Sequence, residues 1–160
     1  MPNTETKPTE TEIKPKPKAN ARWSHVGLNC RDQTITEAFY RDLFGFHRAR
    51  VIEAGGSRII FLRVGDVYLE LFATDAEPQE PKADGPQNPG VARHLAFQVD
   101  DVDEFLARAD NQLPISLGPL AFDDFISGWK TVWVTDPDGV VVEVSQGYRD
   151  QTPEELAAFD

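Results

Sequence analysis

Four residues of this chain are of types that hold metal ions, and they fall into two matched pairs. His25 opens the segment His-Val-Gly-Leu-Asn-Cys and is followed 45 residues later by Glu70, in Glu-Leu-Phe. His94 opens His-Leu-Ala-Phe-Gln-Val and is followed 49 residues later by Glu143, in Glu-Val-Ser. One histidine or glutamate on a strand is an ordinary surface residue. The same pair recurring at matched places of two similar halves points to one site built about a pseudo-twofold axis. Two imidazoles and two carboxylates make an N2O2 donor set, which leaves open positions on an octahedral ion and suits Zn, Ni, Co, Mn or Fe. Two carboxylates buried side by side without a cation would force one of them to protonate or leave a costly buried charge. One divalent metal per site is therefore the expected occupant, with room beside it for a small substrate offering neighbouring oxygens.

Such a site needs strands to aim its ligands. From Trp23 to Cys30 the residues alternate, with Val26, Leu28 and Cys30 on one face and His25, Gly27 and Asn29 on the other. Thr34 and Glu37 have capping-box spacing, and Ile35, Ala38, Phe39 and Leu43 form a helical stripe that ends at Gly45. A short strand over 46–52 is expected next, then two strands over 59–64 and 67–72 joined by Gly65-Asp66. The order then repeats. His94 to Val99 alternates, Asp101 and Glu104 open a helix with Val102, Phe105, Leu106 and Ala109 inward, and Asn111 to Gly128 is rich in loop residues. Trp129 to Thr135 and Val140 to Ser145 form a hairpin around Asp136-Pro-Asp-Gly139. Each half reads βαβββ. The fold class is α+β, two such modules curving into an open barrel-like sheet, with the apolar faces on the helices and His25, Glu70, His94 and Glu143 on the concave face. Tyr68, Phe72 and Val141 would wall that cup, with Asn29 and Gln98 on the faces of the two histidines. Lys130 is a candidate contact for an anionic substrate, as are Arg58 and Arg63. His47, Trp129 and Trp133 are read as structural or exposed, and Asp136 and Asp138 as turn residues.

Composition limits the partners. With 160 residues, 40% of them hydrophobic, the chain is near the length of one domain. A net charge of −11 argues against nucleic acid or an anionic membrane surface, and no apolar run approaches the roughly 18 residues of a membrane span. No secretory leader is evident, and the single cysteine, Cys30, fits a reducing cytoplasm. Residues 1–21, rich in Thr, Glu, Lys and Pro, read as a disordered tail. The domain spans 22–148, as modules 22–74 and 91–148 with a linker over 75–90, and 149–160 form a short helix or tail. Sheet edges and apolar helix faces make a homodimer the expected assembly, and the long linker permits each metal site to come from one chain or from modules of two.

The two modules, His-Val-Gly-Leu at 25–28, Phe-Tyr-Arg-Asp-Leu-Phe-Gly-Phe at 39–46, Arg-His-Leu-Ala-Phe at 93–97 and Asp-Pro-Asp-Gly leading to Glu143 resemble the glyoxalase / bleomycin-resistance / dioxygenase superfamily, the vicinal oxygen chelate proteins. The resemblance implies a metal held by His25, Glu70, His94 and Glu143. Members similar to ring-cleaving dioxygenases or fosfomycin-modifying enzymes use two histidines and one glutamate, at the places of His25, His94 and Glu143. A full His/Glu/His/Glu set resembles glyoxalase I, and methylmalonyl-CoA epimerase is similar with Gln as the second ligand. Glu70 thus tilts the expectation toward a metal-dependent lyase or isomerase. In that chemistry the metal steadies an enediolate after a carbon-bound proton is removed, with Glu143 and then Glu70 as candidate bases. An Fe(II) ring-cleaving dioxygenase and a non-catalytic drug or metabolite binder are the alternatives. Glutathione-using members carry Arg four residues after the first ligand and Asn four after the second. Here those places are Asn29 and Thr74, which points to a different small substrate.

Overall fold

The computed structural model describes residues 21–78, 80 and 82–159. The expected disordered tail lies, but for residue 21, outside the described residues. Eight strands and three short helices follow in order: β1 (Val26–Cys30), α1 (Gln33–Phe44), β2 (His47–Ala54), β3 (Ser57–Val64), β4 (Val67–Ala73), β5 (Leu95–Gln98), α2 (Val102–Arg108), β6 (Ile115–Ala121), β7 (Lys130–Thr135), β8 (Val141–Gln146) and α3 (Pro153–Leu156). The strands make two four-stranded mixed sheets, ordered β1-β4-β3-β2 and β5-β8-β7-β6. Each module is βαβββ, with its first strand parallel to its last and the other pairs antiparallel. The sheets are separate and neither closes on itself.

Local chemistry explains the elements, with two departures from expectation in α1. Its N-cap is Asp32, whose extended backbone lets the carboxylate accept from the N–H groups of Thr34 and Ile35. Glu37 is therefore free of a capping role and instead pairs with Arg48 on β2. The buried face carries Thr36 and Tyr40 rather than Ile35, which is 55% exposed. Gly45 ends the helix at φ 74°, a left-handed conformation that disfavours a side chain. Asp101 caps α2 by accepting from the Glu104 N–H, as its spacing predicts. The stretch read as loop between Asn111 and Gly128 contains β6. Register shifts at Ile115/Leu117 and Leu117/Leu120 break the alternation that would have revealed it.

One apolar core serves both modules. Leu28, Cys30, Ile60, Leu62, Leu69 and Leu71 from the first sheet join Val132, Val134, Val142 and Val144 from the second, with α1 and α2 packed among them. Phe44 at the end of α1 links the halves, stacking on Phe97 of β5 at 4.5 Å and on Phe105 of α2 at 5.6 Å. A polar clasp reinforces this junction. Buried Tyr40 donates its hydroxyl proton to Asp136 at 3.0 Å, and Thr36 donates to Asp138 at 2.6 Å. The Arg31 N–H donates to the same Asp138 carboxylate. The turn aspartates of the second module thus hold the first helix of the other.

Candidate metal centre

Strand parity sets which face each ligand takes. In the first sheet Gly27, Glu70 and Phe61 lie opposite one another in register, and the core residues Leu28, Leu69, Leu71, Ile60 and Leu62 alternate with them. Glu70 therefore leaves the core, and His25, one residue before β1, meets it with Nε2 3.1 Å from Glu70 Oε2. The Phe61 ring stands edge-on to the imidazole at 5.6 Å. In the second sheet Ala96, Glu143 and Trp133 share a row, and His94, just before β5, places Nε2 2.9 Å from Glu143 Oε2. The two pairs are near copies.

The donor geometry fits a divalent ion at each pair. Two ligand atoms about 2.1 Å from one ion and at right angles to each other lie about 3 Å apart. His94 gives the sharper test. Its Nδ1 is 2.8 Å from the carbonyl oxygen of Asp84, and a carbonyl can only accept, so Nδ1 carries the proton. In a neutral ring with that tautomer the Nε2 lone pair faces a carboxylate oxygen that is also an acceptor, and either a second proton on the ring or a cation between the two resolves the contact. A backbone carbonyl that fixes the tautomer and aim of a ligating imidazole is a common support of metal sites. His25 has a parallel support in Ser24, whose hydroxyl is 2.9 Å from its Nδ1.

The four candidate residues are not brought together within one chain. Both apolar faces turn toward the shared core, so the two His/Glu faces point away from it, on separate surfaces. His25 shares its pocket with Trp23, Phe61 and Tyr68, whereas His94 and Glu143 share theirs with Gln98, Trp129, Ser145 and Tyr148. Among the described residues no three His, Cys, Asp or Glu side chains gather as a metal-holding cluster. The expectation of one continuous concave face is corrected accordingly: the shared core makes two faces, each carrying half of an N2O2 set.

The other candidates divide. Tyr68 and Gln98 line the two ligand pockets, and Phe72 covers Gly27, where a Cβ would lie 3.3 Å from its ring. Asn29 lines a groove between the modules that His94 also borders, and buried Val141 lines the same groove. Lys130 does not join the site. It shares the helix-side face with Val132 and Val134, and its ammonium contacts both oxygens of Asp103 on α2 at 2.6 Å. Arg63 is held by the Gly65 carbonyl and lies over the Tyr68 ring. His47 is exposed. Sequence reasoning missed Asp84 because the linker has no periodicity to place it, and missed Phe61 as the neighbour of His25.

The chain matches the Glyoxalase/Bleomycin resistance protein/Dioxygenase superfamily over residues 22–144. The chain belongs to that superfamily. It is 29% identical over 123 residues to the uncharacterized protein YaeR of Escherichia coli (strain K12), covering 75% of this chain and 92% of that one. A glyoxalase family protein from Enterococcus faecalis superposes with a TM-score of 0.61 at 30% identity, covering 79% of this chain and 98% of the other. The lactoylglutathione lyase from Agrobacterium tumefaciens does so with a TM-score of 0.54 at 29% identity, over 81% and 96%. This superfamily includes enzymes, and its members commonly bind divalent metals and small molecules. Among the described residues of this member no helix is long and apolar enough to cross a membrane.

Proposed function

We propose that this superfamily member is a metal-dependent lyase or isomerase that moves a carbon-bound proton of a small substrate with neighbouring oxygens. The observation that carries the reading is the pair of Nε2–Oε2 contacts at 3.1 and 2.9 Å, with the His94 tautomer set by Asp84. Because the halves face apart in one chain, the four-ligand site is completed by a second copy: His25 and Glu70 of one protomer opposite His94 and Glu143 of its partner. A homodimer with two equivalent sites follows, and a cytoplasmic enzyme is consistent with a lone buried cysteine.

A divalent ion bound there supplies Lewis acidity to the substrate oxygens, which makes the adjacent carbon-bound proton easier to remove. The imidazoles of His25 and His94 supply neutral donors, held in aim by Ser24 and Asp84. Glu70 and Glu143 supply charge, and a carboxylate oxygen of either accepts the substrate proton and returns it. Their symmetric placement allows opposite faces of the carbon to be served, as epimerisation requires. Phe61 and Tyr68 beside one pair, and Trp129 and Tyr148 beside the other, supply aromatic walls for the substrate body.

The test is solvent deuterium exchange. Protein loaded with single metals is incubated in D2O with a panel of α-hydroxy carbonyl compounds. Metal-dependent deuterium incorporation at the carbon, lost in Glu143→Gln and reduced in Glu70→Gln, is the expected result. Oxygen consumption with a catechol and Fe(II) and no exchange would favour ring cleavage instead. Tight binding without either would favour a sequestering protein.

A further inference from the structure

Arg50 is left over after the site is accounted for. Four arginines and one histidine lie on β2 and β3, and among the described residues His47, Arg50 and Arg58 have no side-chain partner; Arg58 has the parity of the core residues Ile60 and Leu62 and so lies on the other face of the sheet. Arg48 pairs with Glu37 on the helix side, and Arg63 is engaged by the Gly65 carbonyl, Asp66 and Tyr68. Arg50 is exposed and has no hydrogen-bond or ion-pair partner among the described residues.

The register shows which face Arg50 takes. His47 lies opposite Arg63 and Arg48 opposite Leu62, so a regular strand would place residue 49 opposite Phe61. The register instead shifts between Arg48 and Arg50, and Arg50 takes the place opposite Phe61. The extra residue, Ala49, is a bulge, and it moves Arg50 onto the face away from the core. Gly27, Glu70, Phe61 and Arg50 then form one row across the sheet. Without the shift Arg50 would fall on the face of Leu62, beside the core.

From this row we infer that Arg50 is a specificity-determining residue that binds an anionic group, a carboxylate or a phosphonate, at the far end of the substrate. The inference rests on the metal reading above. Arg50 and Glu70 are two strands apart, about 10 Å between backbones at roughly 4.8 Å per strand spacing. The Phe61 ring lies between them, and the next row continues the apolar surface with Phe72, Ile59 and Ile52. A substrate that offers neighbouring oxygens at the Glu70 end would therefore lay an apolar body across Phe61 and reach Arg50 with its anion. The guanidinium is free to bind that anion through two parallel N–H donors, and no neighbouring carboxylate of the described residues competes for it. The bulge is what makes a basic edge strand serve the site rather than the surface.

Two chelating probes isolate this residue. Benzohydroxamate and 4-carboxybenzohydroxamate share the same pair of neighbouring oxygens and differ by a carboxylate across the ring. Binding of each to the zinc-loaded protein is measured by calorimetry for the native chain, Arg50→Gln, Arg50→Lys and Arg48→Gln. The expected result is a preference of about tenfold for the carboxylated probe, as one charge-assisted contact supplies. Arg50→Gln should bring the two probes within twofold, Arg50→Lys should retain part of the preference, and Arg48→Gln should leave it unchanged. Equal binding of the probes to the native protein, or a preference that survives Arg50→Gln, would overturn the role of Arg50 while leaving the metal site standing. Failure of both probes to bind zinc-loaded protein would overturn the metal reading, and this inference with it.

Discussion

Replacing Tyr40 with Phe tests the clasp that orients the two modules. Tyr40 is fully buried and its hydroxyl donates to Asp136, which is 5% exposed. The other Asp136 oxygen accepts from the Asp138 and Val140 N–H groups, so the Tyr40 proton is the partner that Oδ2 has in the structure. Removing it leaves a buried charged acceptor short of one bond, at a cost of about 2–3 kcal/mol. For a chain of this length that lowers Tm by about 4–12 °C. The cost should depend on pH. Burial raises the Asp136 carboxyl above its ordinary value, while the two backbone N–H groups and Tyr40 pull it back down. For a carboxyl raised in the folded state, the favourable contribution is complete below the unfolded value and is lost as pH rises through the folded one. Losing the Tyr40 bond raises Asp136 further, so the loss on going to higher pH deepens. The penalty of Tyr40→Phe should thus be smaller at pH 4, where more of the carboxyl is protonated, than at pH 8. Paired thermal melts of native and variant protein at the two pH values measure it. A penalty identical at both, or no measurable Tm change at pH 8, would refute the reasoning.

Three further outcomes follow from the geometry. Gly85 has φ 116°, and a Cβ there would lie 1.8 Å from the Arg93 carbonyl oxygen, so Gly85→Ala must push apart the two backbone segments that carry Asp84 and His94; zinc affinity measured by competition with a chelator should fall about 10-fold or more. Asp32→Ala removes the N-cap of α1 and should cost about 1 kcal/mol in denaturant unfolding, while Thr34→Ala, the residue of the expected capping box, should cost much less. Cys30 is 1% exposed and burial pushes its thiol up to about 11, so a disulfide reagent at pH 7.5 should leave it unmodified until denaturant unfolds the chain.

The two His/Glu pairs were legible because a strand has a period of two. That alone placed His25 with Glu70 and His94 with Glu143 on faces opposite Leu28, Leu71, Phe97 and Val144. The fold class was legible for the same reason, since helical and strand periods alternate twice in one order. What escaped depends on distant contacts. Thr34 and Asp32 both have capping side chains, and the extended backbone at Asp32 decided between them. Tyr40 replaces Ile35 on the buried face because Asp136, 96 residues away, supplies its hydroxyl with a partner. Nor could parity tell that the apolar faces of both sheets would share one core through Phe44, Phe97 and Phe105, which is what separates the two ligand pairs. The bulge that turns Arg50 to the ligand face is equally invisible, because Arg48 and Arg50 look equivalent in a period of two.

Subunit mixing tests the metal site most directly. His25→Ala and His94→Ala are purified separately, unfolded and refolded together, loaded with zinc and assayed for bound metal. Each variant alone should hold little zinc at micromolar concentration. In a mixed dimer, intact His25 and Glu70 from one chain meet intact His94 and Glu143 from the other, so random pairing should restore about a quarter of the native zinc content. Mixtures that hold no more zinc than the separate variants, or variants that each hold a full complement, would contradict a four-ligand site shared between two chains.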